Sequence, residues 1–302
     1  MELGVLGPLY VRANERANER ADEWVDAPTA PKLRNVLAML MVHTGQVVSV
    51  ASLVRDLWDD DPPASGLTTL QTYILNLRKM FSSATGMSTA EVAREVLVTR
   101  AGGYRLTAGA GSLDVHRFQR LARSGREALA RGDDDAGVHD LDDALSLWRG
   151  PALVDVPAGR VLESRRRQLE ESRLVTLEYL VDAELRLGMY REVLAELAAL
   201  TVENPLHEGL HGQYMRALYL GGRRAQALEV FQRLRRALVA ELGLGPGLRL
   251  QRLHQAVLNA DGDIDDRAWR EADPDSRIRS TVHGRIGDSH PDGVCPSHRS
   301  LR

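Results

Sequence analysis

The 302-residue chain has a single cysteine, Cys295, which excludes a disulfide-stapled scaffold and points to a reducing compartment. It has no apolar run near the roughly 20 residues that a membrane span requires. Its opening MELGVLGPLYV lacks the basic stretch expected of a secretory leader. An excess of one charge is missing too: 39 Lys and Arg face 42 Asp and Glu, for a net charge of −3. That excludes a protein that coats nucleic acid by bulk charge and leaves only a local patch for such contact. No G-x-x-x-x-G-K-[ST] phosphate loop, Ser/His/Asp elbow or second cysteine occurs, so neither an enzyme nor a cofactor is expected. What is present is globular, with 43% hydrophobic and 27% charged residues. These values fit a soluble cytoplasmic protein of two or three modules.

Composition divides the chain. Residues 1–106 mix short β-like runs with helical stretches, and residues 113–258 read as helix after helix across the small-residue stretch 107–112. Residues 260–302 are polar, their hydrophobics lack a period, and a disordered tail is expected there. Three tetrads, RANE, RANE and RADE, fill residues 12–23. They read as a repeat expansion within an exposed hairpin loop, although period four also pairs Arg with Glu for transient helix.

In the first module, Leu3-Gly4-Val5-Leu6 and Leu9-Tyr10-Val11 read as strands around Gly7-Pro8, with Trp24-Val25 returning to them. Leu33, Val36, Leu37, Leu40 and Met41 form one helical stripe, which Gly45 ends. Val47-Val48 is a short strand, and Ser49 caps a second helix with Val50, Leu53, Val54 and Leu57 on one face. After the acidic Asp59-Asp60-Asp61-Pro62-Pro63, a third helix is expected to bury Leu67, Leu70, Ile74, Leu77 and Phe81. Its other face carries Thr69, Thr72, Tyr73 and Asn76, with Arg78 and Lys79 nearby. Ser88 and Glu91 have the spacing of a capping box. Val96–Arg100 and Tyr104–Leu106 flank Gly102-Gly103 as a hairpin.

This is the order of a winged helix-turn-helix, whose third helix enters the DNA major groove while its hairpin meets the minor groove or backbone. Thr and Asn can bond base edges, and the Thr methyl can meet a thymine methyl. Arg78, Lys79, Arg100 and Arg105 can neutralise phosphates. Residues 67–106 carry five basic side chains against two acidic ones. An ordinary solvated helix face remains the alternative on pattern alone.

The strings Pro31-Lys32-Leu33-Arg34, Leu57-Trp58 before the acidic Pro-Pro loop, Thr68-Thr69-Leu70-Gln71-Thr72-Tyr73-Ile74-Leu75-Asn76-Leu77-Arg78-Lys79, and Leu97-Val98-Thr99 through Gly102-Gly103-Tyr104 resemble the Streptomyces antibiotic regulatory protein family. These are actinobacterial transcription activators with an OmpR-type winged helix. Asn76 stands where many relatives carry Arg, which opens the base preference at that step, since Asn favours adenine and Arg guanine.

In the second module Gly132, Gly188 and Gly222 fall at helix–helix turns, the last two 34 residues apart. At that offset Leu194 matches Leu228, Leu197 matches Phe231 and Leu200 matches Leu234. A 34-residue helix-turn-helix period is the tetratricopeptide signature and implies a concave protein-binding face; a generic helical bundle is the alternative. Leu113–Phe118, Ala144–Leu153, Leu169–Leu174, Leu210–Gln213 and Glu241–Pro246 resemble the bacterial transcriptional activation domain of the same family. The expected fold is therefore mainly α with small β elements: a winged helix at 1–106, then an all-α tetratricopeptide-like domain at 113–258.

The resemblance implies protomers bound side by side, as a homodimer or oligomer, on direct repeats near the −35 element of a promoter. It also implies contacts to the sigma factor and alpha C-terminal domain of RNA polymerase, and control of an antibiotic gene cluster. Without a phosphate loop the chain is similar to the short, pathway-specific members. The loop carrying Asp59, Asp60, Asp61 and Ser65 corresponds to the one that meets polymerase. A repressor or a tetratricopeptide-type interaction adaptor is the alternative.

His207-Glu208-Gly209-Leu210-His211 fits the H-E-x-x-H pattern of zinc hydrolases. It follows Pro205 at the head of a repeat helix, and Gly209 weakens that helix. Tyr214 stands where the longer metzincin pattern needs Gly. No metal is expected there, nor at Cys295 and His298.

Overall fold

A computed structural model of the chain describes residues 1–13, 24–25, 27–109 and 112–260. Most of the tetrad repeat and the whole segment 261–302 lie outside the described residues. Strands β1 (Glu2–Gly4), β2 (Tyr10–Arg12) and β3 (Trp24–Val25) form an antiparallel sheet in that order. Then come α1 (Pro31–Val42), β4 (Val47–Ser49), α2 (Val50–Trp58), α3 (Gly66–Thr85), α4 (Thr89–Glu95), β5 (Leu97–Arg100) and β6 (Gly103–Leu106). The second sheet runs β4-β6-β5, again antiparallel.

Local chemistry sets these boundaries. Pro31 opens α1, where a missing N–H costs nothing. The Ser49 hydroxyl accepts from the Ser52 N–H at the start of α2. The Ser88–Glu91 capping box is present in both directions at α4. Leu67 departs from expectation: it is 60% exposed. In the first turn of α3 it is Gly66 that is buried, against Trp58, Pro62 and Pro63, so Leu67 points to water.

Among the described residues seven helices follow: α5 (Asp114–Ala130), α6 (Asp134–Ser146), α7 (Arg160–Arg186), α8 (Leu194–Glu203), α9 (Glu208–Leu220), α10 (Arg224–Leu242) and α11 (Leu248–Asn259). Gly132, Gly188 and Gly222 take φ of 83°, 81° and 76° at the helix–helix turns, a left-handed conformation that side chains resist. Of the positions that the 34-residue period pairs, Leu197 and Phe231 are both buried, Leu234 is buried against a half-buried Leu200, and Leu194 and Leu228 are half-buried; α8 spans ten residues against nineteen in α10.

The chain forms two compact units, Met1–Met189 and the part from Tyr190 onward. In the first, one apolar core runs from Leu3 through Phe81 and Leu106 to Phe118, Trp148 and Leu169. It therefore crosses the composition change at 107–112. Carboxylates join the winged-helix elements to α5–α7. Buried Asp114 accepts from the Val5, Leu6 and Val115 N–H groups at 2.8–3.0 Å. Burial raises its pKa, while those donors and Arg149 work against the rise. Buried Asp56, on α2, accepts from Asn35 Nδ2 (2.8 Å) and from the N–H groups of Gly159, Val161 and Leu162. Asp56 thus caps α7, whose own N-cap residue, Gly159, has no side chain to do so. Asp155 accepts from the Leu9 N–H at 2.9 Å and pairs with Arg34. In the second unit, α9–α11 share a core of Met215, Leu218, Val230, Phe231, Leu234, Leu250 and Val257.

Candidate nucleic-acid interface

Helix α3, about 30 Å long at 1.5 Å per residue, buries Leu70, Ile74, Leu77, Phe81 and Ala84. That apolar row fixes which face turns outward. Thr68, Gln71, Thr72, Leu75, Asn76 and Lys79 are exposed, and their spacing of i, i+3, i+4, i+7, i+8 and i+11 makes them one continuous stripe. Thr72 and Asn76 sit within it. Thr69 and Tyr73 are half-buried on its shoulder, and Tyr73 packs on the core. Reasoning from residue type missed Thr68, Gln71 and Leu75; continuing the three-and-four spacing outward from Thr72 and Asn76 finds all three.

The basic residues divide into two kinds. Lys79, on the stripe, and Arg100, at the end of β5, are exposed. Arg78 is half-buried, and its Nε and Nη2 donate to the Leu97 carbonyl at 3.1 and 3.0 Å, with Nη2 also reaching Thr99 Oγ1 at 2.8 Å. Its place on the side of α3 facing β5 makes it a strut between α3 and the β5–β6 hairpin. Arg105 is half-buried on β6, level with Val47 and Val98 in the neighbouring strands.

Close backbone contact fixes the wing. Gly102 turns the β5–β6 hairpin at φ 77° and its carbonyl accepts from the Val50 N–H at 2.9 Å. At Gly103 a Cβ would lie 2.1 Å from the Val48 carbonyl oxygen, so only glycine lets β6 approach β4 this closely.

In the α2–α3 loop, Asp59 takes φ 51° and its carboxylate meets Arg160 of α7 at 3.1 Å; Asp60 meets the same guanidinium at 3.6 Å. Asp61 and Ser65 are exposed. Lys32 Nζ lies 4.8 Å from the Trp58 ring centroid at the base of this loop.

The three polar groups of the H-E-x-x-H string serve the helical scaffold. His207 Nδ1 accepts from the Leu210 N–H as an N-cap, and Glu208 accepts from the Gly247 N–H at 2.7 Å, at the head of α11. His211 is buried, with Nδ1 3.0 Å from the His207 carbonyl. Burial, with His207 and Arg233 adding positive potential, pushes the His211 pKa below its ordinary 6.5. His254, stacked on Phe231 with ring centroids 3.8 Å apart, is pushed down by burial too. The native state therefore refuses a proton that the unfolded chain accepts, so stability is full above about pH 6.5 and falls as pH drops below it. Urea midpoints at pH 7.5 and 5.5 should show this loss, and His211→Gln should remove part of it, with His254 supplying the rest. Among the described residues no three His, Cys, Asp or Glu groups gather as a metal site, and no helix is long and apolar enough to cross a membrane.

Residues 26–106 match the family Transcriptional regulatory protein, C terminal, and residues 113–258 match the Bacterial transcriptional activator domain. The chain is 45% identical over 265 residues to Regulatory protein DnrI of Streptomyces peucetius, covering 88% of this chain and 94% of that protein. It is 33% identical over 273 residues to Transcriptional regulator RedD of Streptomyces coelicolor, covering 90% of this chain and 75% of that one. Among solved structures it is similar to Mycobacterium tuberculosis EmbR in complex with a low affinity phosphopeptide, with a TM-score of 0.79 and 30% identity over 94% of this chain and 71% of that one. With a winged helix and an activator domain in this order, and a relative 45% identical along nearly its whole length, the chain belongs to the Streptomyces antibiotic regulatory protein family.

Proposed function

We propose that the chain is a sequence-specific DNA-binding transcription activator that switches on a secondary-metabolite, antibiotic-type gene cluster. The observation that carries this reading is the continuous exposed stripe of α3, braced on a buried apolar row and tied to a basic wing through Arg78. A helix so presented fits the major groove, and the wing fits the flanking backbone. In this reading residues 1–106 read DNA and residues 113–258 serve assembly and activation.

Thr72 and Asn76 meet base edges, with Thr69 and Tyr73 at the margin. Lys79 and Arg100 meet phosphates, Arg105 supports the wing's contact, and Arg78 holds helix and wing in register. Protomers lie side by side on promoter direct repeats. Asp61 and Ser65, with Asp59 and Asp60 steadied by Arg160, face the sigma factor and alpha C-terminal domain of RNA polymerase. The protein works in the cytoplasm as a regulator and carries no cofactor.

Footprinting of neighbouring promoters with in vitro transcription tests this directly. A footprint with more transcript supports activation; a footprint with less makes the protein a repressor, and none makes it an adaptor. Point variants separate the two kinds of contact. Asn76→Ala should change sequence preference, at about 1–3 kcal/mol of lost discrimination. Lys79→Ala should weaken binding to all sequences alike and lower the salt slope by about 1. Equal slopes for wild type and Lys79→Ala in a gel-shift salt titration would remove Lys79 from the phosphate contacts.

A further inference from the structure

We propose that Leu75 is a specificity-determining residue that selects thymine by its C5-methyl group, an inference that rests on the DNA-reading function above. Leu75 is 46% exposed in the middle of the α3 stripe, with the polar Gln71, Thr72 and Lys79 as its neighbours one turn away and Leu67, 60% exposed, two turns before it at the head of the helix. The core of α3 is already complete without it, since Leu70, Ile74, Leu77 and Phe81 are all buried. An isobutyl group at the centre of a solvated face gains nothing from water. A helical side chain leans toward the turn before its own Cα, so Leu75 covers the ground between Gln71 and Thr72 at the heart of the stripe.

The major-groove floor supplies a single kind of apolar partner. Guanine shows N7 and O6 acceptors, cytosine an amino donor and adenine an acceptor beside a donor, whereas thymine adds a methyl group to its O4. Leu75 placed over guanine, cytosine or adenine strips water from a polar edge without returning a hydrogen bond. Over thymine it buries methyl against methyl. Lys79 on the same stripe, and Arg100 on the wing, favour a polyanion over an apolar protein surface as the occupant of this face.

The test uses the full chain and a duplex selected by it from a random-sequence pool. Each thymine of the selected site is replaced in turn by deoxyuridine, which removes only the methyl, and binding is read by fluorescence anisotropy at one salt concentration. For the wild type, at least one thymine in each half-site should lose about fourfold in affinity, the scale of one buried methyl group. Leu75→Ala should bind the thymine duplex more weakly, keep the wild-type salt slope and no longer distinguish thymine from uracil at that position. Leu75→Met should restore part of the discrimination. Methyl sensitivity retained in Leu75→Ala but lost in Thr72→Ser would assign the contact to Thr72 and overturn the proposal, as would a wild type blind to every replacement. If no sequence is enriched from the pool, the DNA-reading function falls with it; enrichment without methyl sensitivity overturns Leu75 alone.

Discussion

Asp56→Ala should lower the stability of the first unit by about 3 kcal/mol, seen as a fall of roughly 10 °C in its melting midpoint. The substitution removes both oxygens that hold Asn35 Nδ2 and the N–H groups of Gly159, Val161 and Leu162. Val161 and Leu162 are orphan donors of the first turn of α7, and no residue of α7 replaces the cap. The negative charge at the positive end of this 27-residue helix is lost as well. Asp56→Asn should fall between wild type and Ala, since it keeps one acceptor and places a donor against the rest. Differential scanning calorimetry on the full chain measures the series; a shift below about 2 °C for Ala would mean that water replaces the carboxylate at no cost.

Gly103→Ala should loosen the wing from strand β4. Its added methyl would sit 2.1 Å from the Val48 carbonyl oxygen and 3.0 Å from Ser49 Cα, both backbone atoms that no rotamer change can move. Strand β6 must retreat from β4, breaking the Val48–Tyr104 and Ser49–Gly103 register. The expected cost is about 3 kcal/mol, the upper end for overpacking. The wing carries Arg100, which the proposed function sets on phosphate, so the salt slope of DNA binding should also drop by about one. Gly102→Ala is the informative contrast: it meets nothing within 4 Å, and its only penalty is φ 77°. It should cost about 1 kcal/mol and leave the slope intact. Equal effects at the two glycines would mean that the close approach to β4 does not position the wing.

Much of the first unit was legible because its signals are local. The Ser49 cap, the Ser88–Glu91 box and the Gly102 turn each act within a few residues, and capping or turn chemistry reads them directly; periodicity finds α1 but not its burial on all sides, from Asn35 through Met41. The basic character of Lys79 and Arg100 was legible for the same reason. What escaped are the long-range pairings. Asp56 reads as one more acidic residue at the end of an amphipathic helix, yet three of its partners, Gly159, Val161 and Leu162, lie more than a hundred residues away. Arg78 has the composition of a phosphate ligand, and only the position of the Leu97 carbonyl nineteen residues on makes it a strut. Leu67 satisfies the apolar spacing of α3 but falls where Gly66 takes the buried place. Spacing gives the face of a helix; it does not say where the neighbouring element ends.

The carboxylate joints of the first unit bear on how such a regulator can be retargeted. A reading head grafted on at the junction near residue 106 would leave Asp56 without α7 and Asp114 without the Val5 and Leu6 amides. It would also bare the apolar surface that Phe118, Trp148 and Leu169 now cover. If α3 reads the promoter as proposed, the economical route to a new one is to rewrite its exposed positions in place. A transplant, if one is wanted, has to carry α5, α6 and α7 along with the head.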